Sequence, residues 1–82
     1  MSQFIDIIEI LRTLQDDVTV PKNIRLRVQE TVTILESSEE SSIKINKALN
    51  ELEDLADDSN MQSYIRTQLW NVVSSLEKMT AI

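Results

Sequence analysis

Cysteine, histidine and glycine are all absent from this chain of 82 residues, and proline occurs once, at Pro21. Without cysteine there is no disulfide framework and no thiolate nucleophile, and without cysteine and histidine the commonest zinc ligands are missing. The lack of histidine also removes the usual general base at neutral pH. The lack of glycine argues against tight β-hairpins and favours helices joined by short polar turns.

Positive charge is also scarce, because Lys and Arg total 8 against 14 Asp and Glu, for a net charge of −6. A protein whose main task is to neutralise phosphates has the opposite balance. No apolar run approaches the ~20 residues that span a bilayer. The apolar stretch Phe4–Leu11 contains two acids and follows no basic region, so it does not resemble a signal peptide. We therefore expect an acidic, cytoplasmic protein.

Apolar residues recur at intervals of three and four in four segments, as expected for amphipathic helices. The segments are 3–15, 21–36, 42–56 and 61–79. The connections between them are polar: 16–20, 37–41 and 57–60. The length allows a single domain, 1–82. The sequence therefore predicts an all-α fold of four helices.

An internal repeat with an offset of 41 residues relates the two halves of the chain. It aligns Leu11 with Leu52, Leu14 with Leu55, Asp16-Asp17 with Asp57-Asp58, Ile24 with Ile65, Arg25 with Arg66 and Leu35 with Leu76. A period of this length with two helices per unit is HEAT-like. The repeat predicts two antiparallel hairpins, 1–36 and 42–82, joined by a linker at 37–41 and closed into a four-helix bundle.

Some apolar residues of the first hairpin have no apolar equivalent in the second, or a much smaller one. Ile7, Ile10, Leu26 and Ile34 correspond to Ala48, Glu51, Thr67 and Ser75. Either the first hairpin is buried more deeply, or it offers an apolar surface to a partner. Trp70, aligned with Gln29, lies to one side of the apolar stripe of its helix, either at a partner contact or at the edge of the bundle. The predicted interface is therefore Ile7, Ile10, Leu26, Ile34 and Trp70.

Polar residues give weaker indications of function. The doublets Asp16-Asp17 and Asp57-Asp58 are each followed by an arginine, Arg25 and Arg66. Paired carboxylates suit Mg²⁺ in principle, but no further ligand cluster accompanies them, and acids near a helix start that pair with these arginines are the favoured interpretation. No phosphate loop, nucleophile motif or metal-ligand spacing occurs, so we predict no catalytic residue, no cofactor and no metal.

Two segments resemble the signatures of a small archaeal family, uncharacterised protein family 0147. They are TVPKNIR at 19–25 and IRTQLWNVVSSLE at 65–77, and the similarity extends over nearly the whole chain. The resemblance implies a cytosolic four-helix protein and supplies no activity, cofactor or catalytic residue.

The sequence thus favours a non-enzymatic protein-interaction module that self-associates, as a homodimer, or docks on a larger assembly. The alternative is a small ribosome- or nucleoprotein-associated factor that contacts RNA through Lys22, Arg25 and Arg27, the only basic cluster. A magnesium-dependent enzyme that uses the aspartate doublets is a third, less favoured hypothesis.

Overall fold

The computed structural model describes residues 4–58 and 61–80, except for the side chain of Thr80. Within these ranges the chain forms four α-helices and no strand: α1 (Ile5–Asp16), α2 (Lys22–Glu36), α3 (Ser41–Ala56) and α4 (Ser63–Thr80). Each bound lies within two residues of the predicted segment, which confirms the all-α prediction. The predicted connection at 57–60 lies partly outside the described residues.

The four helices pack as a closed ring. Helices adjacent in the chain contact each other, and α4 returns to contact α1. Among the described residues, no Cα atom of α1 lies within 8 Å of one in α3, and none of α2 lies that close to α4, so these pairs lie diagonally across the bundle. Short connections make ring neighbours antiparallel. The contact between α1 and α4 is the smallest of the four, and the bundle is therefore least tightly closed along that seam.

The core is formed by one apolar stripe from each helix, as expected for amphipathic helices around one interior. It contains Phe4, Ile7, Leu11, Leu14, Val20, Ile24, Val28, Val32, Leu35, Ile45, Ala48, Leu52, Leu55, Ala56, Met61, Ile65, Leu69, Val72, Val73 and Leu76. Positions related by the 41-residue offset, such as Leu11 and Leu52, are buried in both halves. The hairpin repeat itself stays a prediction.

Ion pairs cross the outside of two seams. Between α1 and α2, a guanidinium nitrogen of Arg12 lies 2.6 Å from a carboxylate oxygen of Glu36. Between α2 and α3, Arg27 pairs with Glu51 and, at 2.8 Å, with Asp54. Such partly exposed pairs contribute little energy individually, but they hold the outer edges of neighbouring helices together.

Candidate interaction surfaces

Ile7 belongs to the core. Its side chain is 3% exposed, because spacings of four and seven residues place it on the same face of α1 as the buried Leu11 and Leu14. Its counterpart in the repeat, Ala48, is buried as well. Ile7 is therefore removed from the candidate contact surface, since a fully buried side chain offers no area to a partner.

The other four predicted interface residues lie at the surface but do not form one patch. Ile10, half-buried, lines a groove between α1 and α4. Ile34, also half-buried, lines a different groove with Asn50 of α3. Leu26 is 51% exposed on α2 and Trp70 is 41% exposed on α4, and these helices are diagonal in the ring. The bundle thus distributes the predicted contact residues over several sides.

The groove between α1 and α4 has a volume of about 180 Å³. Ile10 and Leu14 supply its apolar wall, and Thr13, Asp17, Tyr64 and Gln68 complete the lining. It lies along the seam where the ring is least tightly closed. A space of this size holds about one large side chain, which is small compared with the ~300–1,000 Å³ of typical ligand pockets.

A hydrogen-bonded cluster closes one end of this groove. The Tyr64 hydroxyl donates to Asp17 Oδ2 over 2.9 Å and lies 2.8 Å from Thr19 Oγ1. The backbone N–H and the hydroxyl of Thr19 both donate to Asp17 Oδ1, at 2.8 and 2.6 Å. The cluster therefore ties the first turn of α4 to the connection between α1 and α2.

These hydrogen bonds stabilise the ionised carboxylate of Asp17. Donation by Thr19, followed by donation from Tyr64, lowers the pKa of Asp17 below its ordinary value, and the positive charge of Arg25 acts in the same direction. The groove consequently keeps a negative charge at this end at neutral pH.

Sequence reasoning did not single out Tyr64, which is 48% exposed. The repeat could have indicated Tyr64 as a surface aromatic residue, because it aligns Tyr64 with the polar Asn23, just as it aligns Trp70 with Gln29. Ile5, Val18 and Ile43 are further exposed apolar residues that it did not place at a contact.

The arginines that follow the aspartate doublets donate to backbone carbonyls. Arg25 Nε donates to the carbonyl of Val20 over 3.1 Å, and a guanidinium nitrogen of Arg66 donates to the carbonyl of Asp58 over 3.0 Å. Both arginines thus fasten the connection that precedes their own helix through main-chain oxygens, and the charge of Arg25 also acts on the Asp17 carboxylate. In residues 4–58 and 61–80, no three acidic side chains are grouped as metal ligands would be.

The basic cluster at the start of α2 is largely engaged within the chain. Arg27 is paired with Glu51 and Asp54 of α3, and Arg25 is held by its bond to the Val20 carbonyl. Lys22 is exposed. Little of this positive charge is therefore directed to solvent without a partner from the same chain.

The chain is thus a small all-α protein, a bundle of four helices with a core of its own and some apolar side chains at its surface. The chain belongs to the uncharacterised protein family UPF0147, whose family model matches residues 1–79. Membership agrees with the resemblance of the two sequence segments. The family has no assigned function, so membership adds no activity to what the fold indicates.

Archaeal relatives support the assignment over most of the chain. A UPF0147 protein of Archaeoglobus fulgidus is 33% identical over 75 residues, which cover 92% of this chain and 86% of the relative. A UPF0147 protein of Thermoplasma volcanium is 35% identical, with 93% and 86% covered. No solved structure matches the chain. No helix in the described part is both long and apolar enough to cross a bilayer.

Proposed function

We propose that this chain is a non-enzymatic, cytoplasmic protein-interaction module that self-associates or docks on a larger protein assembly. The observation that carries the proposal is the position of Leu26. This side chain is half-exposed on α2 and does not belong to the buried core of the bundle. Trp70 adds a second exposed side chain of a type that is enriched at energetically dominant contact sites.

Position within α2 strengthens the argument from Leu26. The buried residues Ile24, Val28 and Leu35 define one face of the helix, and at about 100° per residue Leu26 lies on the opposite face. Burying such a side chain in a contact would gain about 1.5–3 kcal/mol relative to full exposure. The second hairpin has Thr67 at the corresponding position, so the bundle does not require an apolar residue there.

The alternative of RNA contact has less support. Arg25 and Arg27 are engaged by Val20, Glu51 and Asp54 of the same chain, and the net charge of −6 opposes approach to phosphates. A magnesium-dependent activity has less support as well, since the Asp17 carboxylate already accepts hydrogen bonds from Thr19 and Tyr64.

The test compares two variants in two assays. The double variant Leu26→Ser/Trp70→Ser removes both exposed apolar side chains, and Thr67→Ser is the matched control because Thr67 is exposed at the position equivalent to Leu26. Solution mass is measured by light scattering over a range of concentrations, and tagged chains are used to capture partners from an archaeal extract.

Each outcome bears on the proposal. Self-association of the unaltered chain, or a partner that is captured by Thr67→Ser and lost with the double variant, supports an interaction module. A chain that stays monomeric and captures nothing, or whose captured proteins are the same for both variants, contradicts it.

A further inference from the structure

The groove between α1 and α4 combines an apolar wall with an acidic end. Ile10 and Leu14 of α1 form the wall, and the carboxylate of Asp17 lies at the end that the Tyr64 hydroxyl closes. The volume of about 180 Å³ accommodates one large side chain. Such a groove matches a lysine or an arginine, because both side chains bury their methylene groups along apolar surface and carry their charge at the tip.

The charges that line the groove distinguish it from other depressions on the bundle. Among the described residues, its lining contains one acid, Asp17, and no lysine or arginine. An incoming cation therefore meets only opposite charge in this lining. Three other grooves on the described part of the chain already contain cations, which would repel it: Arg12 and Lys44, Arg27 and Lys47, and Lys22 and Arg25.

Charged groups around the groove direct a cationic head to the Asp17 end. Arg25 is near enough for its charge to act on the Asp17 carboxylate, but its Nε donates to a main-chain carbonyl over 3.1 Å. Towards the opposite end, Asp6 is exposed on the face of α1 that lines the groove, and Lys78 is exposed in the last turn of α4. These two charges have opposite signs and offset each other, whereas Asp17 belongs to the lining itself.

The hydrogen bonds of Asp17 favour lysine over arginine. Oδ1 accepts from the backbone N–H and the hydroxyl of Thr19, at 2.8 and 2.6 Å, and Oδ2 accepts from the Tyr64 hydroxyl over 2.9 Å. A carboxylate accepts about four hydrogen bonds, so one position is left on Oδ2. Arginine pairs best through two parallel bonds, one to each oxygen. A lysine ammonium can instead donate one bond to Oδ2 and direct its other donors to water.

We propose that the α1–α4 groove binds a lysine side chain of a basic partner protein. The methylene stem lies along Ile10 and Leu14, and the ammonium donates to Asp17 Oδ2. A partner with a basic segment is the occupant that fits a chain with a net charge of −6, because complementary charges steer association. This inference rests on the proposed function, for the case in which the chain docks on another protein, and specifies the chemistry of that contact.

The probe for this site is n-butylammonium, which reproduces the stem and the charge of lysine. In an NMR titration at constant ionic strength, the methyl signals of Ile10 and Leu14 and the ring signals of Tyr64 should shift and saturate, with a dissociation constant in the millimolar range for so small a ligand. Since n-butanol lacks the charge and methylammonium lacks the stem, both should bind at least ~5-fold more weakly. Propylguanidinium, the arginine equivalent, should also bind more weakly than n-butylammonium.

Adjacent aspartates provide matched variants. Asp17→Asn removes the charge and keeps an oxygen that can accept from Thr19, whereas Asp16→Asn makes the same change at an exposed residue outside the lining. Binding of n-butylammonium should weaken about 5-fold for Asp17→Asn and stay the same for Asp16→Asn. Equal dissociation constants for the two variants and the unaltered chain would overturn the assignment of the ammonium to Asp17.

A lysine introduced into the groove tests the site without altering Asp17. Gln68 belongs to the lining, whereas its neighbour Thr67 does not, and both are exposed. Gln68→Lys should place its own ammonium in the groove and abolish the shifts caused by n-butylammonium. Thr67→Lys, which has the same net charge, should bind the probe as the unaltered chain does. Helical circular dichroism checks that both variants fold.

The outcomes separate this inference from the broader proposal. The lysine site is overturned if n-butylammonium leaves the groove signals unshifted, or if Asp17→Asn and Gln68→Lys leave its binding unchanged. If Leu26→Ser/Trp70→Ser nevertheless abolishes self-association or partner capture, the interaction function stands and only this site fails. If Asp17→Asn instead weakens self-association, the lysine belongs to a second copy of the chain, which overturns the separate basic partner.

Discussion

Ile7 and Leu26 provide a direct test of how the bundle distributes apolar side chains. Both were predicted at a contact surface, yet Ile7 is buried in the core whereas Leu26 is half-exposed on α2. Ile7→Ala should therefore destabilise the fold strongly, and Leu26→Ala should not. The two substitutions are chemically similar, so the difference between them reports burial.

The expected magnitudes follow from the environment of each residue. Truncation of a buried isoleucine to alanine removes its transfer free energy and leaves a cavity, which typically costs about 2–5 kcal/mol. For Ile7 we expect about 3 kcal/mol, or a fall in melting temperature of roughly 12–24 °C for a domain of this size. Substitution of an exposed residue changes stability by about 0.5 kcal/mol or less, and this is the expectation for Leu26→Ala.

Urea unfolding followed by circular dichroism at low protein concentration measures both variants. Total stability for 82 residues should be roughly 4–12 kcal/mol, so a loss of 3 kcal/mol is large and the Ile7→Ala midpoint should fall with little change in slope. Losses that agree within ~0.5 kcal/mol, or a smaller loss for Ile7→Ala, would refute the assigned burial.

Three further variants probe polar groups. Asp17 has a lowered pKa in the folded chain. The stability that its carboxylate contributes is therefore present above its unfolded pKa of about 3.9 and is lost as pH falls through the folded value. Because Tyr64 donates to this carboxylate, Tyr64→Phe should reduce the acid sensitivity of the melting temperature between about pH 5 and 2. Arg27→Gln should destabilise by about 0.5–1 kcal/mol in chemical unfolding at low salt and by less at high salt, because its pair with Glu51 is partly exposed. Thr31→Val should change stability by less than ~1 kcal/mol, since the buried hydroxyl bonds only within its own helix; a larger loss would show that this hydroxyl matters to packing.

The helices and the bundle could be predicted because their determinants are local or periodic. Spacings of three and four among apolar residues placed the helix bounds to within two residues. Leu11, Leu52 and Ile65 lie on the buried faces that this spacing indicates. Four amphipathic helices with short connections then have few ways to bury their stripes together.

The contact surface could not be predicted to the same extent because it depends on which helices become neighbours. The alignment of Ile7 with the smaller Ala48 left open whether Ile7 is buried or lies at a contact, and both residues are buried. Tyr64 meets Asp17 across 47 residues of sequence, a contact that no local pattern encodes. Arg25 donates to the carbonyl of Val20, and this bond depends on side-chain geometry within the turn.

The solution mass of the purified chain, measured by light scattering from micromolar to millimolar concentration, tests the central claim most directly. The account predicts a concentration-dependent approach to twice the monomer mass of 9.4 kDa, with Leu26→Ser/Trp70→Ser shifting the transition to higher concentration and Thr67→Ser leaving it in place. A mass that stays at 9.4 kDa throughout, or a dimer that is insensitive to Leu26→Ser/Trp70→Ser, would contradict self-association through these exposed apolar side chains.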